Sequence, residues 1–134
     1  MPGYSGTPLA KKLGIKEGHD VALLGTPDGF EDELEGLPDA VTLRRRAAGT
    51  NDIIVSFHKQ RTDLEQKVPV LLKALNVDGG LWIAWPKKAS KVPTDITEDT
   101  VREVFLPLGL VDNKVCAIND VWSGLRVVWR KENR

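Results

Sequence analysis

The sequence lacks several features that would assign it to a particular class of protein. Cys116 is the single cysteine among 134 residues, so no disulfide can form within the chain and nothing indicates secretion. No apolar run approaches the ~20 residues of a membrane-spanning helix. Residues 1–12 contain no apolar signal segment. These absences predict a cytoplasmic protein without a membrane partner.

The chain also lacks an excess charge and a set of metal ligands. Its 19 basic and 19 acidic side chains cancel, which gives no strong signal for nucleic acid as a partner. The histidines are His19 and His58, and the first precedes the first predicted strand, so the two should lie at opposite edges of a sheet. Since a metal site needs three or four convergent ligands, we predict none. Cys116 lies in an apolar strand and is expected to be buried and unreactive.

What the sequence does contain is the composition of one globular domain, spanning residues 1–134. Hydrophobic residues make up 41% of the chain, enough for a core without disulfides. Short apolar runs alternate with segments of helical spacing. Strands are predicted at residues 20–25, 41–45, 52–57 and 81–85, helices at 8–14, 61–75 and before Gly109, and a closing antiparallel pair at 113–118 and 125–131.

This alternation predicts the α/β class, as a small Rossmann-like three-layer sandwich. The sheet should be mostly parallel, covered on both faces, and completed by the C-terminal antiparallel hairpin. In detail, Asp28 would cap a short acidic helix, and Asp95 or Thr97 would begin the third main helix, with Leu108 on its inner face. Pro69 should kink or split the second helix.

Several stretches resemble the Rossmann-like methyltransferase fold. GIKEGHDVALLG resembles its first strand, GGLWIAWP a late central strand, and the last two strands its closing hairpin. The usual helix–strand–helix between strands two and three is absent and replaced by AAGTN. The resemblance implies S-adenosylmethionine as cofactor, with Gly25, Asp28 and His58 near it.

A second resemblance runs nearly end to end. YSGTPLAKKLGI, LGTPDGF, WPKKASKVPTDITEDTVRE, LPLGLVDNKVCAI and WSGLRVVWRKENR resemble short bacterial proteins of the family known as domain of unknown function 3052. The name of that family implies no activity.

The end of the second strand departs from the methyltransferase pattern. An acidic residue usually stands there and accepts hydrogen bonds from the ribose hydroxyls, but this chain has Arg44, Arg45 and Arg46. Arginine cannot accept a hydrogen bond and instead suits phosphate or carboxylate. The alternative is that these arginines are solvated charges that protect an edge strand.

Ligands of open α/β sheets bind beyond the carboxyl ends of the strands. The topology should gather polar residues from four strand ends at that edge, so we predict either a cationic pocket for an anion or a rim of solvated charge. The residues concerned are Thr26, Asp28, Arg45, Arg46, His58, Trp85, Lys87, Lys88 and Ser90.

Two of the four tryptophans raise separate hypotheses. Trp85 ends the fourth strand, where it could form a pocket wall, and Trp122 lies in the turn-rich segment NDVWSG, where exposure would indicate a partner surface. The alternative for all four is packing in the core.

The leading hypothesis is a small non-catalytic binding or regulatory module without a cofactor. Its cationic pocket would hold an anionic small molecule or an acidic protein. One alternative is a minimal S-adenosylmethionine-dependent methyltransferase. The other is an interaction domain without a ligand, acting through Trp122.

Overall fold

A computed structural model describes residues 7–134. Residues 4–6, which begin the stretch YSGTPLAKKLGI, lie outside the described residues. Six strands form one sheet in the order β2-β1-β3-β4-β6-β5. The strands are β1 (Asp20–Leu24), β2 (Thr42–Arg44), β3 (Asn51–Phe57), β4 (Leu75–Pro86), β5 (Leu110–Ala117) and β6 (Trp122–Trp129). The helices are α1 (Leu9–Lys12), α2 (Arg61–Ala74) and α3 (Glu98–Phe105), with short 3₁₀ helices at Phe30–Glu33, Lys88–Ser90, Leu106–Leu108 and Lys131–Asn133.

The strand directions confirm the predicted α/β, Rossmann-like fold. Pairs β1–β2, β1–β3 and β3–β4 are parallel, whereas β6 runs antiparallel to both β4 and β5. From β1 the chain crosses to β2 on one side and later returns to β3 on the other. The strand order therefore reverses between β1 and β3, which is where open α/β sheets form crevices for ligands.

The two faces of the sheet carry separate hydrophobic clusters. On one face, α2 and α3 bury an apolar stripe that includes Leu64, Leu71 and Phe105. On the other face, α1 and the Phe30–Glu33 turn cover Trp82 and its neighbours. The central strands are apolar on both sides because both faces are covered.

The fourth strand is longer than its sequence indicates. Asp78-Gly79-Gly80 was predicted as a turn, but it lies inside β4, which begins directly after α2. A Cβ at Gly79 would lie 2.7 Å from the backbone oxygen of Asp52. The glycine therefore allows a close approach to β3, where the pairing register also shifts.

The helix ends decide between the two caps predicted for α3 and correct the cap predicted at Asp28. Thr97, rather than Asp95, caps α3 in a capping box with Thr100. Asp95 instead accepts a 2.7 Å hydrogen bond from the backbone N–H of Arg61, the first residue of α2. Asp28 caps nothing, because Gly29 precedes the 3₁₀ turn in a left-handed conformation without a side-chain cap.

One expectation about the helices is narrowed and another fails. Pro69 was expected to kink or split its helix, and it lies inside one continuous helix, α2, which excludes the split. Leu108 was expected on the inner face of α3, but the helix ends earlier and Leu108 is exposed in the following 3₁₀ turn. Gly109 does terminate this segment, with a φ of 96° that favours glycine.

Within residues 7–134 no helix is long and apolar enough to cross a membrane.

Candidate functional site

A cavity opens at the point where the strand order reverses. It has a volume of about 510 Å³ and lies at the carboxyl ends of β1 and β3, closed on one side by the start of β6. Small-molecule sites typically measure about 300–1,000 Å³, so the volume suits a ligand of cofactor size. Its lining residues are Gly25, Thr26, Pro27, Phe57, Lys59, Gln60, Asp63 and Trp122. We call it the switch-point cavity.

The inner wall of the switch-point cavity is aromatic. Phe57 makes edge-to-face contacts with Trp122, at a centroid distance of 5.1 Å, and with Phe30, at 4.8 Å. Trp122 is only 7% exposed, so its expected exposure in a turn is wrong. Its indole begins β6 and packs in the core, and this removes the observation that favoured an interaction domain.

The backbone conformation at the floor of this cavity requires glycine at position 25. Its φ is 65°, and a Cβ there would lie 2.9 Å from the carbonyl oxygen of Phe57. Glycine therefore permits a left-handed residue at the end of β1 and the close approach of β1 to β3. Packing within the sheet accounts for Gly25 independently of any ligand.

His58 lies behind the cavity wall and is only 3% exposed. Its Nδ1 is 2.6 Å from Oδ2 of Asp63, and its Nε2 is 2.6 Å from Oγ of Ser56. A neutral ring donates through one nitrogen and accepts through the other, so Nδ1–H can donate to Asp63 while Nε2 accepts the Ser56 hydroxyl proton. Burial lowers the pKa of His58, which outweighs the opposite effect of the Asp63 carboxylate.

This chain of three side chains resembles the order of a hydrolytic triad but cannot act as one. Ser56 is buried in the protein interior, with 1% of its surface exposed. A substrate carbonyl therefore cannot reach its oxygen. The residue that meets the cavity is Asp63, whose side chain is 59% exposed. His58 therefore fixes the position of a carboxylate that faces the cavity.

The role of Asp63 was missed in the sequence, where His58 was named as a candidate without a partner. The available signal was local. Ser56 and His58 are two residues apart on an extended segment and so share a face. Asp63 lies in the first turn of the helix that follows.

Two further cavities adjoin the switch-point cavity through the loop at residues 26–28. One, of about 330 Å³, is lined by Thr26–Asp32 and Arg45. The other, of about 420 Å³, is lined by Pro27, Asp28, Glu33 and residues 119–122. Thr26 and Asp28 therefore lie at this edge, as predicted.

Two of the three arginines at the end of β2, Arg44 and Arg45, are paired with carboxylates. The Arg45 guanidinium donates to both carboxylate oxygens of Glu31, at 2.7 and 2.9 Å. The hydrogen bond lowers the pKa of Glu31 and raises that of Arg45. Arg44 donates to Asp20, and Arg46 is exposed beyond the strand.

The lysine loop does not join the arginines. Strand β2 is three strand spacings from β4, roughly 14 Å at ~4.8 Å each. Neither Lys87 nor Lys88 lines any of the cavities described above, whereas Arg45 lines one of them. Ser90 donates to the carbonyl of Lys87 and accepts from Val92 N–H, so its hydroxyl organises its own loop.

Trp85 belongs to the core instead of a pocket wall. It is buried in the cluster beneath α2 and α3. Cys116 was expected to be buried but is half-buried, and this burial raises the pKa of its thiol. Within residues 7–134 no cluster of three or more histidine, cysteine or acidic side chains could hold a metal ion.

The fold is shared with methyltransferases. It is similar to a ribosomal protein L11 methylase from Lactobacillus delbrueckii subsp. bulgaricus, with a TM-score of 0.59, 16% identity, and coverage of 91% of this chain and 75% of that one. A SAM-dependent methyltransferase from Aquifex aeolicus gives a TM-score of 0.61 at 17% identity, with 89% and 86% covered. A DhpI–SAH complex gives 0.57 at 13% identity, with 90% and 81% covered.

No family model matches the sequence, and no curated protein matches it. The resemblance to domain of unknown function 3052 therefore stays a prediction.

These structures correct the leading hypothesis. A non-catalytic module without a cofactor was expected, but the proteins described above that share the fold are a ribosomal protein methylase, a SAM-dependent methyltransferase and a protein in complex with SAH. The ion pairing of Arg45 and its separation from Lys87 and Lys88 agree with this correction, because the cationic pocket on which that hypothesis rested is not formed.

Proposed function

We propose that this chain is a compact S-adenosylmethionine-dependent methyltransferase domain that binds its cofactor in the switch-point cavity. The observation that carries the proposal is the position of that cavity, at the reversal of strand order in a sheet of this topology. The methyltransferase structures that share the fold support the choice of cofactor.

The residues at the cavity fit the charge of this cofactor. S-adenosylmethionine carries a positive sulfonium and an ammonium group, and Asp63 supplies a carboxylate facing the space. Lys59 lines the same cavity and suits the cofactor's carboxylate. Phe57 and Trp122 offer apolar surface for the uncharged part of the molecule.

The adjoining cavity of about 330 Å³ supplies the acidic side chains that are missing at the end of β2. Glu31 and Asp28 line it, and they come from the loop and 3₁₀ turn after β1. Arg45 holds Glu31 ionised through two hydrogen bonds, so Glu31 remains an acceptor for hydroxyl groups. Arg45, which follows β2, then positions the Glu31 carboxylate as the hydrogen-bond acceptor for the cofactor's hydroxyl groups.

The bound cofactor would supply an electrophilic methyl group. The chain's own contribution is to bind, orient and exclude water. The aromatic wall keeps water from the inner side of the cavity. His58 has both ring nitrogens engaged, so it acts through Asp63 as a positioning residue.

Thermal shift and calorimetric titration with S-adenosylmethionine and S-adenosylhomocysteine test the proposal. A ligand that binds the folded state raises Tm by mass action, and we expect both compounds to do so. Asp63→Asn should weaken binding of the positively charged cofactor by about ten- to a hundredfold, since a hydrogen bond to a charged group contributes ~1.5–3 kcal/mol.

Glu65→Gln is the matched control, because Glu65 is an exposed carboxylate on the same helix that pairs with Arg61 and does not line the cavity. It should leave the affinity unchanged. The proposal fails if neither compound raises Tm, or if Asp63→Asn and Glu65→Gln change the affinity equally.

A further inference from the structure

A separate cavity with a basic lining lies on the sheet face that α1 covers. Its volume is about 190 Å³, and it is bounded by the end of α1 and by β5 and β6. It shares no lining residue with the three cavities at the switch point. Four cationic side chains line it, together with three uncharged residues and no carboxylate. The cations are Lys11, Lys12, Lys114 and Arg126, and the uncharged residues are Leu13, Gly14 and Asn113.

Arg126 is the central residue of this basic cavity. It lies on β6, opposite Trp82 of β4 and Lys114 of β5, and it is half-buried. Among residues 7–134 its guanidinium has neither a hydrogen bond nor an ion pair. The other arginines of comparable burial on this molecule are paired, as Arg44 is with Asp20 and Arg102 is with Asp112. A guanidinium that is partly desolvated and unpaired costs free energy unless an anion pairs with it.

The backbone makes room for this guanidinium. A Cβ on Gly80 would lie 2.3 Å from Nε of Arg126 and 2.6 Å from Cζ and Nη2. The guanidinium therefore rests over the bare backbone of β4, in space that any other side chain at position 80 would fill. Gly80 therefore leaves the space that the Arg126 head group occupies at this cavity.

The neighbouring charges also favour an anion. Lys114 donates from Nζ to the backbone oxygen of Lys12, at 3.0 Å, which fixes its ammonium beside the cavity. Burial and the nearby charge of Arg134 both lower the pKa of Arg126. Binding of an anion would relieve both effects, since it supplies opposite charge and hydrogen-bond acceptors.

We propose that the Arg126 cavity is a binding site for a dianionic phosphate group, either as inorganic phosphate or as the end of a small phosphomonoester. The volume is below the ~300 Å³ of typical small-molecule sites, so the cavity holds one group and not a whole cofactor. Several cations around one group suit a dianion better than a monoanionic carboxylate. The guanidinium fork matches the geometry of phosphate oxygens.

Calorimetric and thermal-shift titrations with inorganic phosphate and with glycerol phosphate test the site, against chloride at equal ionic strength. We expect at least one of the two to bind and to raise Tm with increasing concentration. Arg126→Gln and Lys114→Gln should each weaken that binding about tenfold, as expected for the loss of a charge-assisted hydrogen bond.

Two further variants separate position from charge. Gly80→Ala keeps every charge but displaces the guanidinium, so it should also reduce binding strongly. Lys87→Gln removes an equal charge far from the cavity and should leave binding unchanged. The proposal is overturned if neither compound exceeds chloride, or if binding survives in both Arg126→Gln and Lys114→Gln. S-adenosylmethionine binding to the Arg126→Gln variant should be unaltered, so this test is independent of the proposed cofactor site.

Discussion

Individual residues at the switch-point edge have two different kinds of explanation. Gly25 and Trp122 are required by packing and conformation, and the fold would need them without any ligand. Asp63 is different, because its carboxylate is exposed to a cavity while its position is fixed from behind by a buried histidine. Packing and backbone conformation fully explain Gly25 and Trp122 but not Asp63, so Asp63 is the residue that adds most to the function proposed from the position of the cavity.

The stability of the protein should depend on pH through His58. Burial keeps the folded-state pKa of His58 below its unfolded value of about 6.5. Between these two values the unfolded state binds more protons, so this contribution to stability is complete above about pH 6.5 and is lost as the pH falls toward the folded pKa. Urea unfolding measured from pH 5 to pH 8 should show the decline.

His58→Gln should flatten that dependence, whereas His19→Gln, at the opposite sheet edge, should retain it. An NMR titration of the His58 ring in the unmodified protein gives a second readout. A ring that titrates at or above 6.5 would contradict the prediction.

The close approach at Gly25 gives a second prediction for a single residue. Gly25→Ala should destabilise the fold by about 1–3 kcal/mol, since it adds both a strained φ and a contact with the Phe57 carbonyl. Gly29→Ala has a similar φ of 78° but open space around its Cβ, so it isolates the cost of the conformation. Chemical denaturation of both variants checks this, and equal losses would show that the contact with Phe57 contributes nothing.

At the scale of elements, local signals predicted most of the secondary structure. Strands β1 and β3 and helix α2 lie close to their predicted bounds, and Gly109 ends the 3₁₀ turn that follows α3. The errors arise where a residue acts on a distant segment. Asp78-Gly79-Gly80 has turn chemistry, yet pairing with β3 draws it into β4. Asp95 has the spacing to cap its own helix, yet it caps α2, 34 residues earlier in the chain. Such contacts depend on the assembled sheet and leave no periodic signal.

The Asp95 cap links the loop after β4 to the start of α2. Asp95→Ala should lower the free energy of unfolding by about 1 kcal/mol, the typical contribution of an N-cap. Because α2 also carries Asp63, its first turn should fray and affinity for S-adenosylmethionine should fall with it. Thr97→Ala removes the α3 cap and should reduce stability similarly without changing that affinity. Equal effects of both variants on affinity would contradict the link.

For the whole molecule, alternating strands and helices were enough to predict the sheet and its closing antiparallel pair. They were not enough to predict the site. The cationic pocket failed because residues at one edge of a sheet can still be several strands apart, and because Glu31 neutralises Arg45. The number of strands between two segments, and the ion pairs they make, depend on strand order and side-chain direction, which a single sequence does not encode locally.

The strand arrangement also predicts how the molecule unfolds. The two hydrophobic clusters lie on opposite faces of the sheet and are built on alternate residues of the same central strands, such as Ile53 and Ile54 of β3. Neither cluster can open without exposing the other, so unfolding should be a single two-state transition. Tryptophan fluorescence and far-UV circular dichroism should therefore give coincident denaturation curves.

Matched truncations on the two faces test this coupling. Leu71→Ala on one face and Leu23→Ala on the other each remove a fully buried side chain and should cost about 2–5 kcal/mol. Each should shift the fluorescence and circular dichroism curves together, because the shared strands transmit the loss to both clusters. Curves that separate in either variant would show that the faces unfold independently, and that the sheet is not the cooperative unit.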